Sequence, residues 1–334
     1  MSATISRIAD RTLQWPFRKW AFGEAIALEG LLEAAVVTGQ AGYREQVEAL
    51  CRSTLERAAG TAEDLLAPGA VLLELHSLTG DARWLEAARA LVSAHEKLPR
   101  TSHGALQVRA HQPGWAWQIW VDSMDLVGPL YARFAAASGE SSWLHRAVEL
   151  MLGYANHLQR PDGLFMHGYD MYAGANGHAW ARGQGWALLG MADVLKVCSS
   201  LSAMDIEGAA QLRERSLRLV NALVSTQRPS GLWSTVIDAA ETYEETTLAA
   251  MFVRATNQLE QAGVSLPSRI GTARASAVAA VRRHVDADGS LGLVSSATPV
   301  GQLSTYATRP FGVYPWGQGA LLLMECSLAN AGGS

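Results

Sequence analysis

Three short segments of this chain share one punctuation, and it limits the possible folds more than any other feature. Thr38-Gly39 runs ahead of Tyr43, Thr79-Gly80-Asp81 ahead of Trp84-Leu-Glu-Ala-Ala, and Ser138-Gly139-Glu140 ahead of Trp143-Leu-His-Arg-Ala. A glycine that follows an apolar helical stretch caps its C-terminus, so each segment predicts one helix ending and another opening a few residues later. A second set, Gln159-Arg-Pro-Asp-Gly163, Gln227-Arg-Pro-Ser-Gly231 and Asp286-Ala-Asp-Gly289, marks turns at the other end of the same unit. Pro and Gly supply there the backbone angles that a helix cannot use. The chain therefore reads as a repeated helical hairpin.

Between these marks two kinds of stretch alternate. Leu85 to Leu98, Leu144 to Leu158, Leu212 to Leu223 and Ile270 to Val285 carry charge on one face at helical spacing, as outer helices do. Phe22 to Val37, Leu65 to Leu78, Val121 to Ala137, Trp180 to Val197, Tyr243 to Ala255 and Trp316 to Asn330 are poorer in charge and richer in Gly and Ala, the pattern of helices buried on all sides. Six inner stretches, the first partnered by the residues before Trp15, close naturally into an all-α (α/α)6 barrel of six inner and six outer helices. One domain over residues 1–334 is expected. An open solenoid would need polar capping repeats, and neither end of the chain reads as one.

Composition removes several function classes. A formal net charge of -4 leaves no basic footprint for nucleic acid. No run reaches the roughly 18 apolar residues of a membrane helix, and the first residues carry charge where a secretory segment is apolar. The expected compartment is the cytoplasm. Cys51, Cys198 and Cys326 are far apart and in no metal-binding spacing, so they read as buried small residues, and no cofactor or metal is expected.

Chemistry concentrates in two segments, Trp115-Ala-Trp-Gln-Ile-Trp-Val-Asp122-Ser-Met-Asp125 and Trp180-Ala-Arg-Gly-Gln-Gly-Trp186. Five indoles around carboxylates and an Arg suit a pocket that stacks on sugar rings and protonates a substrate, since buried charges need partners. Asp122 opens the third inner helix, where the neighbouring Trp residues disfavour its charged form and a helix N-terminus favours it. A plain N-terminal cap is the bland alternative. Asp64 precedes the second inner helix and is expected across the barrel mouth from Asp122; paired carboxylates are the usual apparatus of glycoside cleavage. Asp125, one turn on, reads as a structural neighbour. His111 and His167 lie in loops before inner helices and are assigned to substrate hydrogen bonding. Arg182 and Gln184, between Trp180 and Trp186, offer a carboxylate fork and an amide beside aromatic platforms. Trp20 and Phe22 at the start of the first inner stretch, and Trp316 at the start of the sixth, are added as substrate contacts. Glu244-Glu245 reads as a first-turn acidic cluster.

These segments resemble those of the unsaturated rhamnogalacturonyl hydrolases (glycoside hydrolase family 105) and the related unsaturated glucuronyl hydrolases (family 88). Trp120-Val-Asp122-Ser-Met-Asp125 resembles the stretch with the family's catalytic Asp, and Glu63-Asp64 the stretch with its second Asp. His111, His167-Gly-Tyr-Asp170 and Trp180 to Trp186 resemble its substrate-contacting positions. The resemblance spans about Trp20 to Gly319 and implies the same (α/α)6 barrel. It further implies a small anionic oligosaccharide substrate, released by polysaccharide lyases and carrying a C4=C5 double bond in its terminal uronate. Protonated Asp122 would then donate to C4, water would add at C5, and the linked sugar would leave. Gln184 follows the glucuronyl branch, whereas Gly185 and the His-Gly-Tyr-Asp stretch lean to the rhamnogalacturonyl branch. Two rivals are an α/α-barrel sugar epimerase using His111 and His167, and a sugar-binding relative without chemistry.

Overall fold

The computed structural model describes residues 2–17, 22–52, 55, 68–176 and 178–331. It is an (α/α)6 barrel. The inner ring is α2 (Phe22–Thr38), α4 (Gly69–Thr79), α6 (Ser123–Ser138), α8 (Ala181–Ser200), α10 (Thr247–Gln261) and α13 (Pro315–Ala331). Each packs on the next, and α13 returns to α2, so the ring is closed. The outer ring is α1 (Ser2–Leu13), α3 (Ala41–Arg52), α5 (Ala82–His95), α7 (Ser142–Leu158), α9 (Ala209–Thr226) and α11 (Ile270–Arg283), with a short α12 (Leu303–Ala307) in the last loop. None of the described helices is long and apolar enough to cross a membrane.

The glycine punctuation has the structural meaning its positions imply. Gly39, Gly80 and Gly139 have φ of 72°, 70° and 74° at the ends of α2, α4 and α6. Gly163, Gly231 and Gly289 are also left-handed, and each lies against the backbone of the next outer helix: a Cβ there would sit 2.6, 2.3 and 2.8 Å from the carbonyl oxygens of Arg218, Ser276 and Arg7. Side chains are excluded twice over, by φ and by contact. With this contact, α1 packs on both α2 and α13, between the first and sixth inner helices.

A close inner contact joins the two ends of the chain. A Cβ on Gly319 of α13 would lie 2.4 Å from the backbone of Ile26 and Ala27 in α2, so the helices meet backbone to backbone and close the ring. The core runs unbroken from Ile5 in α1 to Cys326 in α13.

Boundaries differ from the sequence expectation where strands intrude. Trp180 precedes α8 in extended conformation, and Glu244–Glu245 forms β5, paired antiparallel with β4 (Trp233–Ser234), before α10 begins. A three-stranded sheet of β1 (Gln118–Trp120), β2 (Gly168–Asp170) and β3 (Gly174–Ala175) rises at the same end of the barrel. Short strands suit loops that must be rigid at the mouth of a pocket, because each backbone hydrogen bond fixes a direction.

Candidate active site

A cavity of about 760 Å³ opens at the end of the barrel where the inner helices begin. Its wall includes Trp15, Trp115, Trp120, Trp180, Trp186 and Trp316, with Glu24, Arg109, Asp122 and Arg182 as its charged members. Inner-helix N-termini converge on this end of the barrel, which is why residues widely separated in sequence meet here.

Asp122 stands at the N-cap position of α6 but makes no capping hydrogen bond. Its helical backbone (φ -54°, ψ -31°) differs from the extended conformation of a capping residue. The carboxylate instead faces the cavity, 5% exposed, with Oδ2 3.3 Å from His167 Nε2. β1 and β2 enforce this proximity: Trp120 pairs with Gly168, and the Val121 amide donates to the His167 carbonyl at 2.9 Å.

The protonation of His167 follows from its other nitrogen. Nδ1 lies 2.8 Å from the Tyr306 hydroxyl, whose oxygen already accepts from Asn176 Nδ2 at 2.8 Å and from the Gly301 amide at 3.4 Å. With both lone pairs engaged, the Tyr306 O–H donates to Nδ1, and the imidazole proton sits on Nε2, toward Asp122. Burial pulls the His167 pKa below its ordinary value, against the attraction of Asp122, so the ring is neutral near pH 7. Trp180 lies against the ring at 4.3 Å between centroids and Trp120 meets it edge-on at 5.4 Å.

Two guanidiniums face the cavity in different states. Arg182 is committed to its own protein: it pairs with the buried Glu245 and donates to Ser295 Oγ at 2.9 Å, the Ser296 carbonyl at 2.9 Å and Thr298 Oγ1 at 3.2 Å. It ties the loop at 295–298 over the pocket between Trp180 and Trp316, 4.5 and 5.4 Å from their ring centres. The carboxylate fork expected from sequence is thus already occupied, and Glu245, read as a mere first-turn acid, is its buried partner. Arg109 stands over the Trp120 ring at 4.0 Å, with Trp115 at 5.4 Å, and donates to Gln112 Oε1 at 2.8 Å. Burial lowers its pKa, opposed chiefly by the charge of Asp122.

The other expected residues divide sharply. Trp180, Trp186 and Trp316 line the cavity, Trp316 stacking on Tyr314 at 4.9 Å and donating to the Ser295 carbonyl. Gln184 is fully buried away from it. Its Oε1 accepts from the Phe165 amide at 2.7 Å and its Nε2 donates to the Phe165 and Trp180 carbonyls, so it is a clamp on the loop after α7. Gln318 makes a similar clamp on Leu291 and Gly289 from α13, so the arrangement recurs in two units of the repeat. His111 is exposed and outside the cavity wall. Asp125 faces the barrel lumen with Glu29, Arg133 and Asp193. Burial, then Glu29 and Asp193, hold its carboxyl well above the usual range. Asp64 and Trp20 lie outside the described residues, as does the side chain of Phe22. Sequence reading missed Arg109, Asn176 and the loop at 297–299. Arg109 stands four residues before a Pro-Gly turn ahead of the Trp cluster, a visible but weak signal.

A closed helical ring whose mouth presents a carboxylate among indoles defines a sugar-cleaving enzyme. The comparisons agree: residues 4–331 match the model of Glycosyl Hydrolase Family 88, and the chain belongs to that family of glycoside hydrolases. It is 29% identical over 340 residues to the unsaturated rhamnogalacturonyl hydrolase YesR of Bacillus subtilis, covering 96% of this chain and 93% of that protein. Among solved structures, a possible member of family GH105 from Salmonella enterica superposes with a TM-score of 0.88 at 19% identity, covering 98% and 93% of the two chains. The unsaturated glucuronyl hydrolase of Bacillus sp. GL1 gives 0.75 at 17%, covering 99% and 95%. These two likenesses are of fold.

Proposed function

We propose that the protein hydrolyses unsaturated uronyl oligosaccharides produced by polysaccharide lyases, with Asp122 as the acid and the barrel acting as one catalytic domain. The observation that carries the reading is the Asp122 carboxylate, freed from capping its own helix and turned into a Trp-lined cavity opposite a neutral His167. Protonated Asp122 gives its proton to C4 of the C4=C5 bond, whose electron pair leaves a cation at C5 shared with the ring oxygen. Water adds at C5 and returns a proton to Asp122. The resulting hemiketal opens to a C5 ketone, and the C1 hemiacetal left behind releases the linked sugar. General acid catalysis of this kind supplies about 10²–10⁴-fold.

The substrate carboxylate needs a cation, and Arg109 is its proposed partner. Arg109 lines the cavity beside Asp122, whereas the Arg182 guanidinium is engaged by Glu245. The Trp120 ring, 4.0 Å from the Arg109 guanidinium carbon, attracts the cation and holds it at the wall. Asp64 remains the proposed second carboxylate, assisting water. Against an epimerase, His111 is exposed and outside the cavity wall, so it gives His167 no partner there. With Gln184 spent on Phe165, the glucuronyl-branch feature has a structural cause. We therefore propose galacturonate linked to rhamnose as the preferred unsaturated disaccharide, in line with the relative from Bacillus subtilis.

The test is loss of the double-bond absorbance on incubation with unsaturated galacturonyl-rhamnose and with an unsaturated glucuronyl disaccharide. Faster loss with the first is expected. No loss with either, together with cleavage of a saturated glycoside, removes the reading.

A further inference from the structure

Beyond the cavity, the same sheet that places Asp122 and His167 carries an aromatic edge that the reaction does not use. Trp117 is 55% exposed and Tyr172 78%, their rings edge to face at 5.2 Å, and Trp115, two residues before Trp117 and 39% exposed, is itself part of the cavity wall. Large aromatic surface left in water on one rigid face marks a contact site, because hydration of that surface is unfavourable and nothing in the fold requires it.

The edge is held in place. The Met171 amide donates to the Trp117 carbonyl at 2.9 Å, Gln118 pairs with Asp170 in the β1–β2 register, and Asp170 Oδ1 accepts from the amides of Tyr172 and Ala173 at 2.9 and 3.0 Å. Gln118 Oε1 accepts in turn from Trp120 Nε1 at 2.9 Å, which joins the edge to the cavity wall. Asp170 lies three residues beyond His167 along β2, about 10 Å of extended strand, so the edge stands well apart from the Asp122–His167 pair.

We propose that Trp117 and Tyr172, continued inward by Trp115, form a stacking platform for the reducing-side sugars of unsaturated oligosaccharides longer than a disaccharide. The occupant is a carbohydrate because the edge is continuous with the cavity proposed to hold the uronate, and the apolar C–H faces of pyranose rings match indole and phenol faces. This rests on the hydrolase reading and extends it to substrate length.

The experiment compares kcat/KM on an unsaturated disaccharide and an unsaturated tetrasaccharide of the same linkage for the wild type, the double variant Trp117→Ala/Tyr172→Ala, and Trp117→Phe/Tyr172→Phe. The Ala variant is expected to lose about five- to tenfold on the tetrasaccharide and less than about twofold on the disaccharide, with Phe restoring most of the loss. Equal loss on both substrates, or none on the tetrasaccharide, overturns the platform while leaving the hydrolase reading standing. Wild-type protein inactive on both overturns the hydrolase reading and the platform with it.

Discussion

Asn in place of Asp122 keeps the shape of the side chain and removes the proton it would give. Asp122→Asn is expected to lower kcat by about 10²–10⁴-fold with a near wild-type Tm, because the carboxylate caps no helix and its loss unfolds nothing. Retention of more than about a tenth of the rate would demote it. Tyr306 acts one step behind, as a positioning residue: its hydroxyl fixes the tautomer that puts the proton on His167 Nε2, the nitrogen 3.3 Å from Asp122 Oδ2. Tyr306→Phe removes that donor and leaves Nδ1 buried without it. The expected result is a kcat lower by roughly tenfold with KM little changed, the scale of one hydrogen bond to a group near a charge. A change confined to KM or to Tm would make Tyr306 structural only.

Arg182 shows how an element's loop, rather than its helix, builds a wall. Its bonds to Glu245, Ser295, Ser296 and Thr298 join α8, β5 and the loop at 295–298, and several of them need the planar fork that Lys lacks. Arg182→Lys keeps the charge but is expected to lower Tm markedly, since removing part of a buried, hydrogen-bonded pair leaves Glu245 poorly satisfied. Loss of kcat/KM should follow from displacement of the Thr298 loop. Melting curves recorded beside kinetics check this: unchanged Tm with a large loss of kcat/KM would return Arg182 to the role of a substrate clamp.

Across the whole molecule, the barrel axis is charged below the active site, where Asp125, Glu29, Arg133, Asp193 and Arg254 face one another inside the inner ring. Arg133 answers Asp193 at 2.9 Å and Glu29 at 3.1 Å, so Asp125 is left among like charges, and its carboxyl is held well above the ordinary 3.8. A raised folded pKa means that the folded state binds the proton first. That contribution to stability is complete below the unfolded value of about 3.8 and is lost as pH rises through the folded one. Asp125→Asn, which needs no proton, should therefore raise Tm at neutral pH, with the gain shrinking as pH falls toward 4; a gain independent of pH would contradict it. The sequence by itself determined the repeat, because Gly39, Gly80, Gly139, Gly163, Gly231 and Gly289 answer a local requirement of φ, legible without any partner. It also determined that Asp122 and the Trp segments belong together, since their density of indole and charge has no local use. Only the tertiary structure decided what each polar side chain does. Gln184 clamps Phe165, Arg182 is spent on Glu245, His111 stays in solvent, and Arg109 and Tyr306 flank the acid, since hydrogen-bond partners 19, 63 and 139 residues apart, as in Gln184–Phe165, Arg182–Glu245 and His167–Tyr306, are set by how loops and ring close.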